Sequence, residues 1–323
     1  MRILFAGSPS IAVPSLEALC NIDGVQLIGA LTNPDSPKGR KGTLSPTEVG
    51  EAAAKLDITP VFKPQKLDAA FREQISSLKP DLLVSFAYGC IFGPKFLSLF
   101  PLGGINIHPS LLPKYRGPSP VQAAILNRDS VTGISIQRLA EKMDEGDILA
   151  CEQLQLTGRE TADSLGETVA KRAAVMLAQT LKKTIDGTIE AKAQDHSMAS
   201  YCGLISKDDG IIDWSKSAAE IEAAIRAFNP WPLCRTIHDE RELYILKADV
   251  YKGDFQRNME KGAGHVLGID KQYGILIRTG DGILAATELQ YQAKKALFWR
   301  DFLNGARDFT SAQFDKRGSS YGV

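Results

Sequence analysis

The run Asp81-Leu82-Leu83-Val84-Ser85-Phe86 constrains the fold most, because it is an almost wholly apolar strand. Strands of this kind are buried on both faces, as in parallel sheets that are covered by helices. The chain before it alternates between strand-like residues 2–6, helix-like residues 11–20 and strand-like residues 25–31. A strand, a helix and a strand at this spacing form a right-handed parallel unit. The sequence therefore predicts an α/β domain with a Rossmann-like, mostly parallel sheet.

Two familiar kinds of cofactor site are absent from the sequence. The first turn, Gly7-Ser8-Pro9, lacks the Gly-x-Gly-x-x-Gly pattern of a dinucleotide site. The five cysteines are scattered and lack Cys-x-x-Cys spacing, which argues against a disulfide framework and against a zinc site. We therefore expect neither a dinucleotide cofactor nor a metal.

The stretch from Gly104 to Gly117 is the candidate reaction centre. Alternation along its first residues puts Asn106 and His108 on one face of a strand end. An amide can hydrogen-bond a developing oxyanion and an imidazole can take a proton, which suits acyl transfer. A lone His or Asn at a strand end is more often a satisfied polar residue.

A third polar residue supports catalysis. Asp144 lies on the connection Met143-Asp144-Glu145-Gly146-Asp147, between two strand-like segments. A carboxylate there could orient the imidazole and stabilise its protonated form. Taken alone, Asp-Glu-Gly-Asp is more often a solvated turn.

These segments together resemble the formyltetrahydrofolate-dependent formyltransferases. The resemblance rests on Asn106, His108, the run Ser110-Leu111-Leu112-Pro113 with Arg116-Gly117 after it, and Asp144 before Gly146-Asp147. It implies that Asn106, His108 and Asp144 are catalytic and that the formyl donor is 10-formyltetrahydrofolate.

The resemblance also implies a pterin pocket walled by two segments. From the residues alone, the apolar side chains of the first segment are more typical of an ordinary core than of a ligand pocket. The implied pocket residues are Phe86, Tyr88, Gly89, Ile91, Ser110, Leu111, Leu112 and Pro113.

Residues 32–46 contain three prolines and no apolar period, so we predict a long flexible loop. Unstructured loops of this length in compact domains tend to be functional. Formyltransferases that act on transfer RNA carry a basic, Gly-rich insertion here, and the family's loop arginine falls on Arg40, with Lys38 and Lys41 beside it. The resemblance therefore implies that this loop contacts RNA, although it has few positive charges.

The sequence pattern predicts that the second half of the chain forms a domain separate from the α/β domain. A helix over residues 162–185 closes the first domain, which we place at 1–187, followed by a linker at 188–203 and a tail at 204–323. About five short strands in the tail fit a small barrel. The resemblance identifies it as an OB-like, tRNA-binding domain.

Charge and the N-terminus bear on partners and location. With 38 Lys+Arg and 38 Asp+Glu the chain has no net charge, which argues against a strongly basic binder. A local patch can still attract RNA. Since we find neither a signal-peptide core nor an apolar run of spanning length, we expect a cytoplasmic monomer with no membrane partner.

Three functions stay open at this point. The first is transfer of a formyl group to the α-amino group of methionine on initiator transfer RNA, the second is the same chemistry on a small amine such as an amino-sugar nucleotide, and the third is a folate-binding or RNA-binding protein without turnover. An imidazole with an orienting carboxylate disfavours the third. The Arg40 loop and the tail favour the first.

Overall fold

The computed structural model describes residues 1–38 and 42–314, without the side chains of Lys38 and Arg307. Arg40 and Lys41, which we predict to contact RNA, lie outside the described residues, as does the side chain of Lys38.

A seven-stranded sheet forms the first part of the chain. Its order is β5-β2-β1-β6-β7-β8-β9. The first five of these strands run parallel, and β8 pairs antiparallel with both β7 and β9, so that β9 again points in the direction of the first five. The predicted α/β class with a mostly parallel sheet is confirmed. The strands are β1 Arg2–Gly7, β2 Gln26–Leu31, β5 Val61–Phe62, β6 Leu82–Phe86, β7 Gly104–His108, β8 Val131–Arg138 and β9 Ile148–Gln155.

All five residues of β6 are buried, as its apolar sequence predicts. Side chains cap the starts of α2 and α3: the side chain of Thr47 accepts from the N–H of Gly50, and that of Asp68 accepts from the N–H of Phe71. The helices are α1 Val13–Leu19, α2 Glu48–Lys55, α3 Ala69–Ser77, α4 Pro94–Leu97, α5 Pro120–Leu126 and α6 Ala162–Ile185.

The prediction that residues 32–46 are entirely irregular is wrong. Within them β3, Ser36–Lys38, pairs antiparallel with β4, Thr43–Ser45. The ribbon has no buried face, so its sequence shows no apolar alternation, and Pro37 is tolerated because the ribbon is all edge. Lys63 forms an ion pair with Asp35 just before the ribbon, with 2.6 Å between Nζ and Oδ1.

The last part of the chain forms a six-stranded antiparallel sheet in the order β10-β11-β14-β13-β12, with β15 on β14. Two helices accompany it, and the first starts with a capping box in which Ser217 and Glu220 bond each other's backbone N–H groups. This sheet fits the predicted barrel-like tail. Its elements are α7 Ala218–Ala227, β10 Cys234–His238, β11 Arg241–Val250, β12 Val266–Asp270, β13 Gly274–Arg278, β14 Ile283–Tyr291, β15 Leu297–Phe298 and α8 Trp299–Asn304.

The chain divides into two compact units. The first comprises residues 1–121, 130–156 and 164–204, and the second comprises 122–129, 157–163 and 205–323. Much of the segment that we predict as a linker is bonded within the first unit: Lys192 pairs with Ile148, and Arg116 pairs with Ser200 and Cys202 through backbone hydrogen bonds. Across residues 1–38 and 42–314, no helix combines the length and apolar character needed to cross a membrane.

The order of the parallel strands determines where a ligand can bind. Strands β1, β2 and β5 lie on one side and β6 and β7 on the other, so the direction of winding reverses between β1 and β6. In open α/β sheets ligands bind outside the carboxyl ends of the strands near such a point. Asn106 and His108 lie at that end of β7.

Candidate active site

Asn106 and His108 occupy one face of β7, as the alternation predicts. Asn106 is half-buried and stands opposite Ser85 on β6 and Gln137 on β8, while His108 is buried and stands opposite Ser135 on β8. Within the part of the chain that the structure describes, no group hydrogen-bonds the Asn106 side-chain amide. Its N–H groups are therefore available to a ligand.

The ring of His108 is oriented by a backbone carbonyl. Its Nε2 lies 2.8 Å from the oxygen of Tyr115. A carbonyl can only accept, so Nε2 carries the proton and donates, and the lone pair of the neutral ring is on Nδ1. This Nδ1 lies 3.6 Å from Oδ2 of Asp144, which is too long for a direct hydrogen bond.

The charge state of His108 follows from its burial. Burial is the largest effect and lowers the pKa of His108, while the charge of Asp144 and the hydrogen bond to Tyr115 raise it by less. The net shift is downward, so the neutral imidazole prevails at neutral pH. A neutral ring with its lone pair on Nδ1 can accept a proton from an incoming group.

The carboxylate of Asp144 is held by two donors. Gly117 donates its backbone N–H to Oδ2 at 2.8 Å, and Gln137 donates through Nε2 to Oδ1 at 2.7 Å. Asp144 itself has a left-handed backbone with φ of 57°. Gly117 has φ of 114°, and a Cβ there would lie 2.2 Å from the carbonyl oxygen of Cys202, so glycine is required to bring its N–H to the carboxylate.

A second layer of buried polar groups lies behind Asp144. Gln194 donates through Nε2 to the carbonyl oxygens of Asp144 at 2.9 Å and Gly146 at 2.7 Å, and its Oε1 accepts from Arg116. Sequence reasoning missed Gln137 and Gln194, and noted Arg116 only as part of a motif. The alternation of Ser135 and Gln137 along β8 could have identified Gln137, whereas Gln194 has no local pattern that points to it.

The turn after β7 is stiffened by hydroxyl groups. Ser135 accepts from the N–H of Leu112 at 3.0 Å and donates to the carbonyl oxygen of Ser110 at 2.8 Å. The fully buried Ser110 donates to the carbonyl of Lys114. Leu111 packs against Gly133, where a Cβ would lie 2.3 Å from Leu111 Cδ2. The structure thus holds the predicted pocket segment, Ser110 to Pro113, firmly beside His108.

The other predicted pocket segment follows β6. The rings of Phe86 and Tyr88 are buried, and Tyr88 lies in the hydrophobic core, stacked on Phe92 at 5.3 Å. Burial raises the pKa of Tyr88 to about 12. Gly89 and Ile91 are exposed. A ligand can therefore meet this turn at Gly89 and Ile91, while the two aromatic rings support it from the core.

We searched the described residues for side chains that could bind a metal ion. Over residues 1–38 and 42–314, no group of three or more His, Cys, Asp or Glu side chains is placed to hold an ion.

Comparison with known proteins identifies relatives for both parts of the chain. A family model described as "Formyl transferase" matches residues 1–181, and one described as "Formyl transferase, C-terminal domain" matches residues 204–307. A methionyl-tRNA formyltransferase of Treponema denticola is 47% identical, covering 98% of this chain and 100% of the relative. One from Treponema pallidum is 44% identical, covering 95% and 97%.

Among solved structures, an N-formyltransferase from Helicobacter canadensis in complex with folinic acid and dTDP-3-aminofucose has the same fold. Its TM-score is 0.63 at 22% identity, with 88% of this chain and 98% of that chain covered.

The burial of His108 and the nearby charge of Asp144 allow us to predict how the pKa of His108 changes. We expect its pKa to lie below the ordinary 6.5 because burial disfavours the charged ring, and to fall further in Asp144→Asn because a charge that stabilises the imidazolium is removed. Histidine C–H resonances followed by NMR against pH measure both values. The chain has four histidines, so His108→Gln assigns the signal. A rise of the pKa in Asp144→Asn would contradict this electrostatic description.

Proposed function

The chain belongs to the formyl transferase family, and from that premise we propose that it transfers a formyl group to the α-amino group of methionine on initiator transfer RNA. One observation supports transfer RNA as the acceptor of the formyl group: the 47% identity to a methionyl-tRNA formyltransferase extends over essentially the whole of both chains. Similarity of that extent includes the tail as well as the catalytic part. Formylation of charged initiator transfer RNA by the purified protein is the experiment that tests it.

We propose 10-formyltetrahydrofolate as the donor. A formyl group on N10 needs an oxyanion donor and a proton acceptor nearby, and Asn106 and His108 provide these two groups on one face of β7. The folinic acid bound by the Helicobacter canadensis protein supports a folate donor. The two turns that flank the strand ends, residues 86–91 and 110–113, are our candidates for the pterin pocket.

The proposed mechanism uses three side chains. When the α-amine attacks the formyl carbon, Asn106 donates its free amide N–H to the oxygen that becomes negative. His108 accepts the proton released by the ammonium at Nδ1, because Nε2 is already bonded to Tyr115. Asp144 faces Nδ1 across 3.6 Å, so it stabilises the imidazolium as it forms. The bond between the formyl carbon and N10 then breaks, and His108 passes the proton that it took from the amine to the departing N10 of the folate.

The alternative acceptor, a small amine such as an amino-sugar nucleotide, has weaker support. The Helicobacter canadensis protein bound to an amino-sugar nucleotide is only 22% identical to this chain. The methionyl-tRNA formyltransferases are 44% and 47% identical. We propose a cytoplasmic location, where charged transfer RNA is available, and expect a monomer, which light scattering after size-exclusion chromatography can test.

Removing any of the three side chains should slow turnover. We expect Asn106→Ala, His108→Ala and Asp144→Ala each to lower kcat by roughly 10²–10³, the usual loss for one oxyanion donor and within the usual range for a general base, with much smaller changes in KM. The double variant of His108 and Asp144 should lose little more than the worse single variant, because the two act as a unit. Initial rates of formylmethionyl-tRNA formation measure these losses, with His265→Ala as the control. Near-normal turnover in His108→Ala would place the reaction centre elsewhere.

We propose that Arg40 contacts the RNA, together with Lys38 and Lys41. Arg40→Ala should raise KM for the RNA and leave folate binding unchanged, since the family's loop contacts the acceptor and not the donor. Its effect should shrink between about 0.05 and about 0.2 M KCl because phosphate contacts are screened. The exposed Arg159→Ala is a matched control. Equal losses on RNA and on a small amine acceptor would contradict the proposal.

A further inference from the structure

Arg116 is an unusually buried cation for a residue that contacts no substrate in the proposed mechanism. Its side chain is 1% exposed. The guanidinium donates to Oε1 of Gln194 from Nη2 at 2.8 Å and from Nε at 3.3 Å, and forms an ion pair with Glu145 at 3.2 Å. Since a guanidinium has donors and no acceptor, Gln194 must turn its oxygen toward Arg116.

That orientation determines what Gln194 offers on its other side. Its amide Nε2 faces three oxygens: the carbonyls of Asp144 at 2.9 Å and Gly146 at 2.7 Å, and Oε1 of Gln137 at 3.3 Å. Gln194 and Gln137 are both buried. A reversed Gln194 would bring its oxygen against these oxygens away from water, which is costly. Arg116 thus fixes the direction of the Gln194 amide.

The same reasoning extends to Gln137. Because its Oε1 faces the N–H groups of Gln194, its Nε2 is directed at Asp144, to which it donates at 2.7 Å. With the Gly117 N–H on the other oxygen at 2.8 Å, the carboxylate receives donors on both sides. Both oxygens act as acceptors, which is the bonding pattern of an ionised carboxylate.

We propose that Arg116, Gln194 and Gln137 form a polar relay that positions Asp144 and keeps its carboxylate in the accepting form opposite His108. The relay acts at two points. Gln194 holds the backbone of the Asp144 turn through two carbonyls, and Gln137 holds the side chain. The three are positioning residues, because they reach the reaction through Asp144. This inference rests on the proposed function and specifies what that function requires of residues outside the catalytic three.

Gln194→Glu tests the relay with almost no change in volume. The glutamate can still bond Arg116, but it presents an oxygen where the amide Nε2 donated to the Asp144 turn. We expect kcat to fall about tenfold or more, the size of loss typical of a buried acceptor left without its donor, while KM for folate and for the RNA stays near normal. Gln155→Glu, which makes the same change at an exposed position of β9, is the matched control and should keep the normal kcat.

Coupling to Asp144 separates positioning from a general effect on stability. In an Asp144→Asn background the loss from Gln194→Glu should shrink to about twofold or less, because the group that the relay serves is already removed. Equal losses in the two backgrounds, or an unchanged kcat in Gln194→Glu, would overturn the relay. If thermal melting shows that Gln194→Glu does not fold, Gln137→Met is measured in its place and must show the same coupling.

The outcome also distinguishes the relay from the proposed function. A wild-type protein that formylates no charged initiator transfer RNA overturns the proposed function. A wild-type protein that does so, with Asp144→Asn impaired and Gln194→Glu uncoupled from it, overturns the relay alone.

Discussion

The active site depends on one interaction: the approach of the Asp144 carboxylate to Nδ1 of His108, with both side chains buried. The two atoms are 3.6 Å apart, and the side chains are 9% and 5% exposed. Burial alone would leave the imidazole a weak base, since it lowers the pKa of His108. The carboxylate partly offsets this, and its attraction is stronger here than in water because the surroundings are poorly polarisable. The ring is therefore neutral before the reaction and stabilised once it carries a proton.

Much of the scaffold can be understood as holding that approach in place. Gly117 brings an N–H to the carboxylate with a backbone that other residues adopt poorly, and Tyr115 fixes the tautomer of His108 through its carbonyl. The proposed relay through Arg116 and Gln194 adds the backbone of the Asp144 turn. Asn106, by contrast, has a side-chain amide that no group in residues 1–38 and 42–314 hydrogen-bonds. The site therefore combines rigid, fully bonded groups with one donor left available for the developing oxyanion.

Sequence patterns predicted the parts that local chemistry determines. The alternation around Asn106 and His108 gave the strand and the shared face, and the helical period gave the helix Ala162–Ile185 with the bounds that the structure has. The contacts of Gln194 and Arg116 join segments about 80 residues apart and have no periodic signature. The ribbon within residues 32–46 was missed because it buries no apolar face, and local alternation did not reveal that β8 and β9 are antiparallel.

Ion pairs within the tail bear on how it could attract RNA. Several of its basic side chains are paired within the same unit, including Arg226 with Glu222 at 2.6 Å and Lys247 with Glu288 at 2.6 Å. Arg235 forms an ion pair with Glu242, with 3.5 Å between Nε and Oε1. Cations held in this way contribute little attraction for a polyanion. Recognition of RNA in our account therefore depends on local contacts, with the Arg40 loop as the main candidate.

The most direct test of the central claim is a crystal structure with a folate analogue that carries an uncleavable formyl group. We predict that the formyl oxygen lies about 2.7–3.1 Å from Nδ2 of Asn106, the distance expected of an oxyanion donor. The formyl carbon should lie on the face of β7 that carries His108, with Nδ1 open to the incoming amine. A formyl group bound beyond reach of Asn106 and His108, at another edge of the sheet, would contradict the assignment of these residues to the reaction.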